Sequence, residues 1–414
     1  PMSLAALKKH RATDRLVLRL ACPCFLENLA DILVSFLDAA MIGVLGPAAT
    51  AAVGVNSSPS WLLGGVVQAL GVGGTALVAR LIGAGEKEEA GRVGGQVMKM
   101  ALLLSSFLTV LMLFAAPAVP LLMNADPSIY PEATAYMRFL ALGFIPRFTG
   151  VAMGALLRGA GDTKTPMIGG LISTGANLVL NYLLIYETRE IGLLGLRFMM
   201  PGAGLGVSGA AIASAIATGA AGMYMIIGVL RRGSALRIRW QRKWDGGVVR
   251  RVMRVAYPAA LERAAINLGQ ILFARMVSSA GVAAFAAHNQ AIQVESLGYM
   301  PAYGFSVAAT TLVGQRLGAG RPEEARESGK RANFLCLMLL TGVGVLLFVF
   351  APFFISLLTP DAEVRRIGAM LIRICAFEQP FNAVSIVTAG ALRGAGDTKV
   401  PFLYGLVSMW GVRI

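Results

Sequence analysis

The eight residues Leu157-Arg-Gly-Ala-Gly-Asp-Thr-Lys164 return letter for letter as Leu392-Arg-Gly-Ala-Gly-Asp-Thr-Lys399, 235 positions later. The same offset carries Pro23 onto Pro258, Glu27 onto Glu262, Met41 onto Met276, Gly46 onto Gly281, Thr75 onto Thr310, Asp126 onto Asp361 and Arg138 onto Arg373. It also carries Gly83-Ala-Gly85 onto Gly318-Ala-Gly320, with a Glu-Glu-Ala triplet shortly after each. About 48 of 159 aligned positions are identical without a gap, residues 21–179 against 256–414. Shared hydrophobicity does not hold glycines and charges in register over such a distance, so the two halves are read as one duplicated structural unit.

The surroundings of the repeat are those of a membrane protein. Hydrophobic residues make up 56% of the chain, charged residues 14%, and the mean hydropathy is +0.68. A soluble domain carries about 25% charged residues. Apolar runs of helix-spanning length recur throughout, long enough to cross ~30 Å of hydrocarbon at 1.5 Å per residue. They predict helices near 16–45, 53–79, 95–116, 132–156, 165–186 and 205–230, then 250–279, 284–314, 331–351, 366–391 and a run opening at 400. The expected fold is all-α: two six-helix bundles, twelve transmembrane helices in the full protein. By the repeat, the eleventh helix is cut at Ile414 and a twelfth is missing. Residues 1–230 form the amino-terminal bundle, 231–249 a basic linker, and 250–414 the truncated carboxy-terminal bundle.

The net charge of +15 lies in short segments between spans, which argues for topology and against nucleic acid. Lys8, Lys9, Arg11, Arg15 and Arg19 lead in, and the linker region carries Arg231, Arg232, Arg237, Arg239, Arg242, Lys243, Arg250, Arg251 and Arg254. The alternate connections near 46–52, 117–130 and 280–283 carry no basic residue. The positive-inside rule therefore places the amino terminus, the linker and both pairs of glycine loops in the cytoplasm. Six helices per half give the copies one orientation, related by an axis along the membrane normal.

Several chemistries find no support. The motif GxxxxGK[ST] is absent, and the single Gly-Lys pair, Gly329-Lys330, is followed by arginine, so no ATP site is expected and energy should come from an ion gradient. The octapeptide loop reads as a helix break whose Asp162 or Thr163 caps the next helix, with Pro166 in its first turn. Cys22, Cys24, Cys336 and Cys375 lie in or beside apolar runs and read as small buried apolar residues. No metal site, no cofactor, and neither a Ser/His/Asp triad nor a carboxylate pair at hydrolase spacing is expected, hence no enzyme.

Charges within the spans are the informative exceptions. Asp at a helix centre costs about 2.5–3.5 kcal/mol on insertion scales. Glu27, Asp31 and Asp38 fall on one face of the first helix, within about 60° of one another. Glu27 is mirrored by Glu262 and reads first as a structural anchor, as does Asp31; Arg263 and Arg275 are the expected neutralisers of Glu262. Asp38 has no acidic mate, since its counterpart is Phe273, and it is the preferred coupling residue. Asn177 and Asn181, four apart on the fifth span, share a face that can bind a cation or Asp38. His288 is expected to pack, not to relay protons.

These residues also carry a family resemblance. Pro23-Cys-Phe-Leu-Glu-Asn28, Asp38-Ala-Ala-Met-Ile-Gly43, Pro258-Ala-Ala-Leu-Glu262, Ala286-Ala-His-Asn289, Leu312-Val-Gly-Gln-Arg-Leu-Gly-Ala-Gly320 and the doubled octapeptide with its following proline resemble the multidrug and toxic compound extrusion (MATE) family over essentially the whole chain, and within it the prokaryotic DinF-like branch. The resemblance implies export of cationic or amphipathic small organic compounds by proton or sodium antiport, by a monomer in the prokaryotic cytoplasmic membrane. Sodium-binding relatives place an Asp where Asn181 stands and often a Thr where Ser214 stands; the lost carboxylate favours protons. Ile266 occupies a position that is acidic in another branch, which leaves the working acid in the first half. The alternatives are a flippase of lipid-linked precursors within the same superfamily, and an intramembrane enzyme or sensor.

Overall fold

The computed structural model describes residues 4–193, 196–231, 233–240, 243–279 and 281–414. An amino-terminal lobe contains α1 (Leu4–Gly43), α2 (Pro47–Gly83), α3 (Lys87–Ala115), the short α4 (Ala118–Leu122), α5 (Tyr130–Leu142), α6 (Phe144–Gly159), α7 (Lys164–Ile185) and α8 (Gly206–Leu230). A carboxy-terminal lobe contains α9 (Gly246–Ser278), α10 (Val282–Gly318), α11 (Pro322–Ser356), α12 (Ala362–Gly394) and α13 (Lys399–Leu406), which runs on into wider π turns over Val407–Arg413. Seven of these helices are long and apolar enough to cross a membrane, and α5 with α6 makes an eighth, bent span. The helices α9 and α10 are more polar, but the 235-residue offset makes them the counterparts of α1 and α2.

The repeat is visible in the backbone. Gly46 and Gly281 precede α2 and α10 at φ 108° and 107°, and Gly161 and Gly396 turn the two octapeptide loops at 94° and 87°. These are left-handed conformations that a Cβ disfavours. After each turn the aspartate caps the next helix. Asp162 Oδ1 accepts from the Lys164 and Thr165 amides at 3.1 and 3.0 Å, and Asp397 Oδ1 from those of Lys399 and Val400 at 3.0 and 3.2 Å. Of the two expected caps, Asp162 therefore serves and Thr163 does not. Side-chain ties between helices also repeat: Thr75 Oγ1 donates to the Ala155 carbonyl at 2.8 Å, and Thr310 Oγ1 to that of Gly390 at 2.7 Å.

Three features differ from the sequence expectations. The span expected over 132–156 is two helices meeting at 54°. Pro146 has no N–H to offer the Leu142 carbonyl, so the α5 ladder stops there. Gly150 then lets α6 approach α8 so closely that an added Cβ would lie 2.2 Å from the Gly222 Cα. A β-hairpin, β1 (Glu187–Leu193) against β2 (Leu196–Ala203), joins α7 to α8; no element was expected there. The basic linker ends at Asp245, whose side chain caps α9 at Gly246, four residues earlier than expected. It is also no solvated strap: Leu236 and Ile238 are buried with the amino-terminal core, and the Arg239 amide donates to the Gly91 carbonyl at 3.1 Å. Gln96 and Lys99 both donate to the Lys243 carbonyl at 3.0 Å. Arg232 and Arg242 lie outside the described residues.

Each lobe lends its opening helix to the other. Val17, Leu20 and Ala21 of α1 are buried among Ala302, Phe305, Ala308 and Val387, and Val248 and Val252 of α9 among Val78, Val93 and Val97. Val17 and Val252 are counterparts under the repeat, so the exchange is mutual, as a two-fold relation between bundles requires.

Candidate functional site

On the first helix, Asp38 lies five residues before the end of α1, where the helix packs on α7. The Asn181 amide donates to Asp38 Oδ1 and to Asn177 Oδ1, the latter at 3.0 Å. Asn177 Nδ2 donates in turn to Ser214 Oγ of α8 at 3.1 Å. Both asparagines are buried, at 3% and 1% exposure. Four residues from three helices thus form one chain of hydrogen bonds ending on a carboxylate. The fourfold spacing of Asn177 and Asn181, one helical turn, is what lets one amide feed the next. Asn181 Oδ1 is buried without a partner, an open acceptor beside the acid. Of the six candidate residues named from sequence, Asp38, Asn177, Asn181 and Ser214 are therefore brought together, and Glu27 and Asp31 stand outside this chain.

Glu27 belongs elsewhere. Arg158 Nη1 of α6 donates to both of its carboxylate oxygens at 3.0 Å. Glu262 meets Arg393 Nη2 at 2.7 Å. Glu27 and Glu262 are counterparts, and so are Arg158 and Arg393. The expected partners of Glu262, Arg263 and Arg275, are not bonded to it: an adjacent residue points about 100° away around the helix, whereas Arg393 comes from α12 across the lobe. The signal was present in the sequence, as two acid–arginine pairs with one separation of 131 residues. Asp31 makes no ion pair among the described residues, although Glu27, Arg147 and Arg158 lie close enough to act on its charge.

The carboxy-terminal lobe lacks the corresponding acid. Phe273, the counterpart of Asp38, packs its ring 5.5 Å from His288 and carries the Arg413 guanidinium at 4.5 Å. His288 thus makes a ring contact and no ion pair among the described residues. All four cysteines are free; Cys22 is exposed, and Cys24 and Cys336 are buried. Cys375 donates to Glu295 Oε2 at 3.5 Å, and with Glu378 these side chains bring three potential metal ligands within 4.8 Å of one another. The sequence did not suggest this grouping, because its members come from α10 and α12.

The lobes are joined at the end that holds the glycine loops. Thr311 Oγ1 donates to the Arg158 carbonyl at 2.8 Å and Gln315 Nε2 to that of Gly159 at 3.1 Å. Arg331 forms a two-pronged pair with Asp14, its Nε at 2.7 Å, and His10 Nδ1 lies 2.8 Å from Glu327. Gly304 approaches the Ala21 carbonyl so that a Cβ there would lie 2.7 Å away. Asp38 is about 25 Å further along α1 than this contact, at 1.5 Å per residue. Beside it α1 presents the exposed apolar side chains Leu33, Phe36 and Leu37.

Comparison with known proteins agrees with this geometry. A family model described as MatE matches residues 23–183 and again 258–414, two stretches that open at the same point of each repeat. The chain is 30% identical over 401 residues to a protein of Thermotoga maritima named probable multidrug resistance protein NorM, covering 96% of this chain and 83% of that one. It is 28% identical to the multidrug resistance protein PmpM of Pseudomonas aeruginosa, covering 97% and 83%. In fold it matches, at a TM-score of 0.87 and 22% identity, a solved outward-facing conformation of a multidrug resistance MATE family transporter of the MOP superfamily, covering 96% of this chain and 86% of that one.

Proposed function

This chain belongs to the MATE family of transporters and is a multi-pass membrane protein, and on that premise we propose that it exports small organic, chiefly cationic or amphipathic compounds from a prokaryotic cell in exchange for protons. The observation that carries the reading is the hydrogen-bonded chain from Ser214 through Asn177 and Asn181 to Asp38. The names of the relatives in Thermotoga and Pseudomonas support export of drugs.

In this mechanism Asp38 alternates between a proton and the cationic end of the cargo. As a carboxylate it accepts from the Asn181 amide. Once protonated it becomes a donor, and the unpartnered Asn181 Oδ1 is the acceptor within reach after a turn of the amide. That exchange alters the bonds among α1, α7 and α8, and so gives the lobe two arrangements for a proton to choose between. With the basic segments on the cytoplasmic side, the closed end of the molecule faces the cytoplasm and Asp38 is open to the outside. Proton loading there would release cargo, and alternating access follows when the loop-end contacts part and the other end closes.

Efflux of a fluorescent organic cation from proteoliposomes, under separately imposed proton and sodium gradients, tests the proposal. Export driven by a proton gradient alone is expected. Export that needs sodium transfers the coupling to that ion, and no export under either gradient overturns the reading.

A further inference from the structure

Arg147 brings a guanidinium to the middle of the amino-terminal lobe, and no acceptor among the described residues meets it. It is the fourth residue of α6, close to halfway along the bent span Tyr130–Gly159. An arginine at a helix centre costs about 2.5–3.5 kcal/mol on insertion scales, and deprotonation offers no escape, because the group stays charged in proteins. Nearer the loop end of the bundles, Arg158 is answered by Glu27 and Arg393 by Glu262. Arg147 has neither an ion pair nor a hydrogen bond among the described residues. The Phe148 ring lies 5.5 Å from the guanidinium carbon.

The charges around it define what it faces. Asp31 of α1 is the acid within electrostatic range of Arg147, and the neutral phenol of Tyr136 on α5 lies within range of both Arg147 and Asp38. Asp31 is nonetheless not bonded to it, although one turn away on the same helix Glu27 reaches across to α6 and binds Arg158 through both oxygens. The constellation is confined to one lobe. Under the repeat, Asp31, Tyr136, Asp38 and Arg147 correspond to Ile266, Leu371, Phe273 and Asn382. The amino-terminal lobe alone therefore combines Asp31 and Asp38 with an arginine at the position of Arg147.

A guanidinium presents paired N–H donors in a plane that suits a carboxylate or a similar oxyanion. We propose that Arg147 is an anion-recognition residue of the amino-terminal lobe, binding a carboxylate on the cargo while Asp31 and Asp38 attract its cationic end. Preferred substrates are then zwitterions that hold both charges on one small frame. This rests on the export reading above and refines it.

A matched pair of dyes separates the two: a rhodamine with a free carboxylate, which is a zwitterion, and its methyl ester, which is a cation. In proteoliposomes the wild-type protein should export both and favour the acid. Arg147→Gln should lower kcat/KM for the acid at least about tenfold, a change of about 1.4 kcal/mol, and leave the ester within about twofold; Arg147→Lys should retain part of the preference, keeping charge without the planar fork. Equal losses for the two dyes, or no loss for either, overturn the proposal and leave the export reading standing. Failure of the wild type to export either dye overturns both. If Arg147→Gln does not assemble, equal dissociation constants of the two dyes for the wild type, measured by fluorescence anisotropy, overturn it alone.

Discussion

A Cβ built on Gly83 would lie 1.8 Å from the main-chain oxygen of Gln315. The counterpart of Gly83 is Gly318, and a Cβ there would lie 1.9 Å from the oxygen of Arg80, itself the counterpart of Gln315. Each copy thus presses a glycine onto the same carbonyl of the other, and the pseudo-two-fold axis passes between the two contacts. Backbone cannot give way as a flexible side chain can, so Gly83→Ala should cost the joined state about 1–3 kcal/mol. The expected result is a longer distance between spin labels on the two glycine loops and reduced efflux. Gly342→Ala, where nothing lies within 4 Å, should leave both unchanged.

The ion pair of Asp14 with Arg331 ties α1 to α11 across the lobes, in the region that must open for cargo to enter from the loop end. Arg331→Asp places two acids face to face and should lower efflux several-fold while raising labelling of a cysteine introduced beside Asp14. Combined with Asp14→Arg, efflux should recover to within about twofold of the wild type, the signature of a direct pair in a double-mutant cycle. A double variant no better than the single one would show that the pair does not act as a latch.

Glu27 and Arg158 predict a different phenotype from Asp38. Removing one member of a buried pair leaves the other charge uncompensated, at a cost of about 3–5 kcal/mol. Glu27→Gln and Glu262→Gln should each lower the unfolding temperature of the purified protein and the amount recovered. The protons exchanged per cargo molecule should not change. Altered stoichiometry in Glu27→Gln, with normal stability, would return Glu27 to the coupling machinery.

The parts of this architecture that were legible in sequence are those in which one residue type has a local reason to be where it is. Gly161 and Gly396 turn the chain, Asp162 and Asp397 cap the next helix, and their recurrence at one offset announces the duplication. The face shared by Asn177 and Asn181 follows from helical periodicity alone. What stayed hidden depends on a neighbour far away in sequence. Pro146 marks where the run over 132–156 can bend, but the close approach of α6 to α8 at Gly150 is apparent only with α8 packed beside it. Leu236 and Ile238 sit among arginines and read as part of a solvated linker until Gly91, Gly94 and Gly95 of α3 are seen to leave space for them. The partner of Glu262 was sought nearby along the chain and stands on another helix.

Asp38 is the residue on which proton coupling is proposed to turn, and Asp38→Asn separates that role from a structural one. The amide is close to the carboxylate in size and still offers an oxygen to Asn181, so the tie between α1 and α7 should survive and the unfolding temperature should move little. What the substitution removes is the exchange of a proton. With no group to load from outside and unload inside, proton-driven efflux should fall to the background level, while a saturating cationic cargo still binds, more weakly for want of the charge. Asn177→Ala should give an intermediate result: it deprives Asn181 of its acceptor and Ser214 of its donor, so the acid remains but is less firmly held, and efflux should decline without vanishing. Near-normal proton-driven efflux by Asp38→Asn would mean that the carboxylate serves only to join two helices. Asp31, the remaining acid of that helix face without an ion-pair partner, would then be the next group to test.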